Sequence, residues 1–329
     1  MTRFALVLVA SIVAALAVIV GALAIGSVEI EFDRFLAALT GRGDDAARAI
    51  IWELRAPRVL AAFAAGALLA LAGTVLQVLL RNPLADPYIL GVSGGASVGA
   101  LLAMLLGGTA TGVAIGAIAG AGLVAAALGF FALGLTYGMV ARLGFDPLRV
   151  LLAGAGFAAA GGALVSLILS LSPAEQLPGM LFWLMGDLAD ARDSRLAWLV
   201  LILAVVTVMV MGDSIDLLGL GPAKAASLGV AVARTQWIAL IVALVATACA
   251  VLVAGGVGFV GLAVPQALRL LGIHQHRQLA PMAVLLGGTL LVAADAMGRT
   301  IARPIELPVG AMTTLVGVPV LLYLIRRSR

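Results

Sequence analysis

Three arginines stand where an acidic group could be caught. Arg55 and Arg58, in Arg55-Ala56-Pro57-Arg58, precede one long apolar run, and Arg299 follows another. A guanidinium offers a planar fork of donors that pairs bidentately with a carboxylate. At the ends of apolar runs such side chains either snorkel to lipid headgroups as anchors or dock an acidic partner. Catalytic chemistry is harder to find. The only lysine, Lys224, is followed by Ala225, and no Gly-x-x-x-x-Gly-Lys-Ser/Thr occurs, so the chain builds no phosphate-binding loop. A nucleophile elbow, a His-Glu-x-x-His pair and a glycine-rich dinucleotide turn are missing too. His274 and His276 share a polar loop with no cysteine or carboxylate cluster beside them, which is poor ground for a metal. The single cysteine, Cys249, lies in an apolar run; it can form no disulfide within the chain and reads as a small buried hydrophobe.

The elements that must position these residues are membrane helices. Of 329 residues, 63% are hydrophobic and 11% charged, against about 25% charged in soluble domains. So much apolar surface needs lipid as its solvent. Apolar runs about 20 residues long, with no period-two alternation, exclude a β-barrel. The expectation is an all-α polytopic membrane protein, a single transmembrane domain over 1–329 with ten helices. They are placed at 4–26, 59–80, 88–106, 112–139, 148–171 and 196–211, as two helices within 236–271 broken at Gly255-Gly256, and at 279–294 and 307–325. The first run is too long for a signal-peptide core and reads as a retained helix. Loops on the side of both termini hold eleven basic residues and four acids, and the opposite loops hold nine and twelve. The positive-inside rule then puts both termini in the cytoplasm. It also explains the basic excess better than nucleic-acid binding does, since the charges are scattered among loops. The external loop 27–57 is too charged for lipid and has room for a short surface helix.

Charge is almost absent from the middle of the spans, and Asp295 comes nearest. Ion-coupled carriers usually keep ionisable residues there. If the chain moves a solute uphill, a separate engine is implied.

Four further segments are distinctive. Arg81-Asn82-Pro83-Leu84-Ala85-Asp86-Pro87, then Leu90-Gly91-Val92-Ser93-Gly94-Gly95-Ala96, is a proline-locked hinge followed by small residues that permit close helix packing. The cytoplasmic segment 212–235 carries Leu218-Gly219-Leu220-Gly221-Pro222 and Ala225-Ala226-Ser227-Leu228-Gly229. Pro222 suits a helix first turn and Gly229 a helix end, so a short helix set off by turns is expected there. It is either an interfacial helix or a contact for the engine. Gly256-Val257-Gly258-Phe259-Val260-Gly261-Leu262-Ala263-Val264-Pro265-Gln266-Ala267-Leu268-Arg269 combines close-packing glycines with a helix-bending proline. Glu306-Leu307-Pro308-Val309-Gly310 and Gly317-Val318-Pro319 open and cross the last helix.

In this order, from Arg55 to the last helix, these blocks resemble the membrane permeases of type II ABC importers for iron chelates, haem and vitamin B12. The resemblance implies a homodimer with the path on its two-fold axis. It implies two ATPase subunits that bind ATP and magnesium, no cofactor in this chain, a periplasmic binding protein, and the bacterial inner membrane. It makes Arg55, Arg58 and Arg299 candidates for binding-protein docking. Leu218, Gly219, Leu220, Gly221, Ala225, Leu228 and Gly229 become candidates for ATPase coupling, and Asn82 and Leu84 for the cytoplasmic gate. Two departures stand out: Pro222 where the family often has an acid, and Gln266 where it usually has histidine. The motifs do not choose the cargo. An iron-siderophore or haem leads as the broadest class, with cobalamin as the alternative. From other classes, an ion-coupled secondary carrier, a membrane enzyme and a regulatory membrane subunit stay open.

Overall fold

The structure, a computed structural model, describes residues 3–26, 28, 30–42, 44–137, 146–189 and 193–327. The expected loop residues 140–145 and the last two residues of the basic tail lie outside them. Among the described residues every regular element is helical. The chain begins with α1 (Arg3–Ala24), α2 (Phe32–Leu39), α3 (Asp45–Ala49), a π-helical turn (Ile50–Arg55) and α4 (Ala56–Leu79). A 3-10 turn (Pro87–Leu90) leads to α5 (Val92–Leu105), α6 (Ala110–Tyr137), α7 (Pro147–Leu171), α8 (Leu177–Met185) and α9 (Arg195–Val210). Then come α10 (Gly212–Gly219), α11 (Pro222–Ser227), α12 (Val232–Ala254), α13 (Val260–Leu270), α14 (His276–Gly298) and α15 (Val309–Arg327).

Among the described residues each expected segment contains a helix (138 and 139, the end of the fourth, lie outside them), but ten spans are not what the structure has. Six helices (α1, the continuous 45–79 helix, α6, α7, α12 and α14) are long and apolar enough to cross a membrane. A seventh counts if α9 and α10, bent by 65° at their junction, are one span. α5, α13 and the Val309–Pro319 part of α15 are shorter. The apolar run from residue 88 loses its first turn because Pro87–Leu90 is a tight 3-10 turn closed by Gly91 at φ +75°. The uncharged run from 236 is split where Gly255 takes φ +64°. The loop after α1 carries two short helices, not one. α8 fills a connection in which no helix was expected.

α4 is the axis of the bundle. Nearly every side chain along it is buried, against α14, α12, α13, α9 and α1. By contrast α1, α6 and α7 leave most side chains uncovered. In lipid the core and the solvent are both apolar, so helices associate through close packing of small residues. A Cβ at Gly73 would fall 1.8 Å from the Gly261 carbonyl oxygen, and one at Gly66 2.3 Å from that of Gly287. These glycines let α13 and α14 touch α4 backbone to backbone. α5 and α6 cross in the same way: Gly95 and Gly99, one turn apart, face Gly120 and Gly116.

The link from α4 to α5 does not stay at the bundle end. Arg81 takes φ +46° and closes α4, with Asn82 N donating to Gln77 O. The chain then climbs back along α4, so that the Pro87 ring meets Gly261 beside the Leu69 carbonyl. Ala85, Asp86 and Pro87 are buried there.

Candidate functional site

The candidate residues gather at two opposite ends of the bundle. At one end Arg58, in the first turn of α4, is held by two acids. Its Nε donates to Asp295 Oδ1 at 3.0 Å, and its Nη1 to Glu306 Oε2 at 2.8 Å. Asp295 is almost fully buried, whereas a third of the Glu306 side chain is exposed. Asp295 also lies 2.9 Å from Arg299 Nε, an ionic contact not aligned as a hydrogen bond.

Arg55 and Arg299 do something the sequence did not disclose. The last carbonyls of a helix lack partners within it. Arg55, ending the π-helical turn, donates through Nη1 to Leu23 O and Ala24 O, both at 2.8 Å, and through Nη2 to Val28 O. Arg299, just past α14, donates to Ala22 O at 3.4 Å and Ile25 O at 3.5 Å. Both arginines are about 5% exposed or less. They cap the end of α1 and tie it to α4 and α14. Gly26 is part of this device, because a Cβ there would sit 2.7 Å from Arg55 Nη2.

A cavity of about 230 Å³ opens among Arg55, Arg58, Arg299, Glu53 and Glu306. The three arginines therefore do converge, but only Arg58 has a partly exposed counter-ion at the cavity. Asp295 and Glu306, which complete the cluster, stood out in the sequence only as the charge nearest mid-span and as the opening of the last block, not as candidate site residues. The four-residue step from Asp295 to Arg299 on one helix was the signal available.

The other end carries α10 and α11. Leu218 and Ala225 are buried against the bundle, while Leu220 and Leu228 are each 59% exposed. Gly221 (φ +106°) and Gly229 (φ +87°) bracket α11, and Pro222 opens it. Two apolar side chains thus stand out from a short, turn-bounded helix. Asp213 pairs with Arg277 at 2.8 Å in the open. Asp216 pairs with the ring of His276, which is the buried first residue of α14 rather than a loop residue. Among the described residues no group of three or more His, Cys, Asp or Glu could hold a metal.

The proline hinge lies beside this end. Asn82 Oδ1 accepts from Leu84 N at 2.9 Å, and Leu84 is 47% exposed. Gln266 Nε2 donates to Pro83 O at 2.7 Å, pinning the hinge to α13. Gln77 reinforces the attachment through Leu262 O and Arg269. Tyr88 OH donates to Gly255 O at 3.2 Å and accepts from Val257 N, so the break before α13 is tied to the same link. Nothing in the sequence joined residue 266 to residue 83.

The chain is similar to proteins of one family. The FecCD transport family matches residues 3–327. The cobalamin import system permease protein BtuC of Halobacterium salinarum is 41% identical, over 86% of this chain and 74% of the relative. The uncharacterised ABC transporter permease protein YvrB of Bacillus subtilis is 39% identical, over 85% and 80%. Among solved structures, the inward-facing conformation of an ABC transporter assigned to the metal-chelate type superposes with a TM-score of 0.83 at 28% identity, covering 98% of this chain and 99% of that one. PsaBC from Streptococcus pneumoniae, at 16% identity and a TM-score of 0.55, shares the fold alone. An ion-coupled carrier is thereby set aside, and the chain belongs to the FecCD transport family as the multi-span permease subunit of a type II ABC importer.

Proposed function

We propose that this chain carries a metal chelate of the cobalamin class inward across the bacterial inner membrane. The observation behind the cargo is that relatives 36–41% identical over about 85% of the chain are named as cobalamin or vitamin B12 permeases. This puts cobalamin, the alternative cargo in the sequence analysis, ahead of the iron-siderophore or haem that led there. A ferric siderophore or haem is the second reading, favoured by the likeness to a transporter assigned to the metal-chelate type.

In this reading a homodimer with both termini in the cytoplasm works with two ATPase subunits, which hold ATP and magnesium. The arginine end faces outward and receives a binding protein. Arg58 offers the pairing guanidinium, and Arg55 and Arg299 add positive charge behind it. Leu220 and Leu228 enter the ATPase surface, while the buried Leu218 and Ala225, with the turns at Gly219, Gly221 and Gly229, hold them in place. Asn82 and Leu84 lie at the inner gate, in the loop that Gln266 pins. Alternating access then follows from movement of the 212–229 segment under ATP.

The test is uptake by a deletion strain complemented with this chain, using labelled cobalamin, ferric siderophores and haem. Restoration of cobalamin alone is expected. Restoration of a ferric siderophore or haem without cobalamin sinks the cargo and leaves the mechanism. Separately, Leu220→Glu with Leu228→Glu should release the ATPase subunits on purification; retention of both subunits would sink the coupling contact.

A further inference from the structure

Asp216 stands on α10, immediately before the Leu217-Leu218-Gly219-Leu220 stretch. Its two carboxylate oxygens accept from the His276 backbone N at 3.1 and 3.2 Å, and one also meets His276 Nδ1. The His276 N–H belongs to the first turn of α14, where donors lack partners within the helix. α14's own cap residue, Gln275, gives no side-chain acceptor. The cap and the negative charge that favours a helix N-terminus therefore come from another element. The His276 ring is 3% exposed, and its Nε2 is buried without a partner. Among the described residues Asp216 is the ring's only polar partner.

The two elements also meet at the backbone. A Cβ at Gly212 would fall 2.7 Å from Arg277 Cγ and 3.2 Å from Arg277 N. The exposed Asp213–Arg277 pair closes the same contact. α14 runs 23 residues from here, about 34 Å at the helical rise. Its last turn carries Asp295, and Arg299 follows its end; the two join Arg58 and the α1 carbonyls at the arginine end. One helix thus has its first turn held by the Asp216 carboxylate and its last turn held by a buried ion cluster, each in a different functional region.

We infer that Asp216 and His276 are positioning residues, which make α10 and the first turn of α14 one body. Displacement of the 212–229 segment by the ATPase is thereby handed along α14 to the arginine end. The inference rests on the proposed ATPase contact at 212–229, where Leu220 and Leu228 are the outward side chains and Asp216 turns to His276.

The experiment uses the complete transporter in proteoliposomes, scored per assembled complex. In Asp216→Ala the ATPase subunits should co-purify in the usual ratio and basal hydrolysis should stay within about twofold. Stimulation by the loaded binding protein, and uptake, should fall about tenfold, in the range of ordinary coupling energies. Asp216→Asn, which keeps the cap acceptor but not the charge, should fall between. Stimulation and uptake within about twofold of the parent in Asp216→Ala would overturn the inference, as would losses fully explained by fewer assembled complexes.

A second variant does not depend on tolerance of the alanine. Asp216→Cys with His276→Cys, in a Cys249→Ser background, should regain stimulation when a short bifunctional thiol reagent joins α10 to α14. If bridged complexes still fail, the two elements do not move together and the inference falls. Loss of the ATPase contact itself would show as missing subunits in Leu220→Glu with Leu228→Glu, a separate outcome.

Discussion

The two ends of α14 use charge in opposite ways. At the arginine end, three guanidiniums and two carboxylates are largely desolvated and held by ionic contacts with one another and by hydrogen bonds to helix-end carbonyls. At the other end the Asp213–Arg277 pair is mostly exposed and Asp216 partly so, while Leu220 and Leu228 point outward. Buried ion pairs are strongly destabilising to break because one partner is left uncompensated, whereas exposed pairs add little. The arginine end is therefore a rigid, high-consequence cluster with a cavity beside it. The 212–229 end exposes two apolar side chains, and its charges set position more than stability.

The largest effect should come from Arg58→Glu, which puts a third carboxylate against Asp295 and Glu306. We expect a loss of about 3–5 kcal/mol, read as a collapse of thermal stability in detergent together with uptake. A variant as stable as the parent would show that the cluster is not the rigid end.

Arg55→Ala separates capping from docking. Stranding the Leu23, Ala24 and Val28 carbonyls should cost about 1–3 kcal/mol of stability. Affinity for the binding protein, measured on folded permease, should drop less than in Arg58→Lys, where one ammonium replaces the fork that spans Asp295 and Glu306. If Arg55→Ala leaves the melting temperature unchanged but abolishes docking, Arg55 acts on the partner and not on α1.

Glu306→Gln tests whether the partly exposed acid competes for Arg58. Removing its charge while keeping its size should tighten docking several-fold, a change of about 1 kcal/mol. Titration of the purified permease with its binding protein gives the answer, and weaker docking would mean that Glu306 helps form the surface.

The smallest effect belongs to Asp213→Ala. An exposed pair is worth roughly 0–1 kcal/mol, so stability and subunit assembly should hardly change. A large loss would erase the contrast between the two ends.

Much of this was legible from residue types. Pro83, Pro87 and the glycines after them announced a helix break, and a break occurs because proline restricts φ and removes a donor regardless of its surroundings. Pro222 and Gly229 marked the limits of α11 for equally local reasons. The start of α5 was misplaced by one turn, since the apolar side chains of Pro87–Leu90 look alike whether the backbone is 3-10 or α. α8 was missed because Leu177–Met185 is shorter than a membrane span. Ten spans were expected from nine apolar runs, with the second helix of the 236–271 run the shorter; α5 is short as well, because the link before it climbs back along α4.

By itself, the sequence determined that this is a polytopic helical permease: its apolar runs are of bilayer length, its charges are sorted between loops, and its ordered motifs are those of one family. Only the tertiary structure decided which helix is central and what each charge touches. α1 and α4 are both apolar all round, and lipid and protein interior reward the same side chains, so composition cannot say that α4 is buried and α1 largely uncovered. Likewise Arg55 finds carbonyls about thirty residues away, Gln266 finds Pro83, and Asp216 caps a helix sixty residues on. Those pairings are set by where glycines allow backbones to meet, a property of pairs of helices that no single stretch of sequence contains.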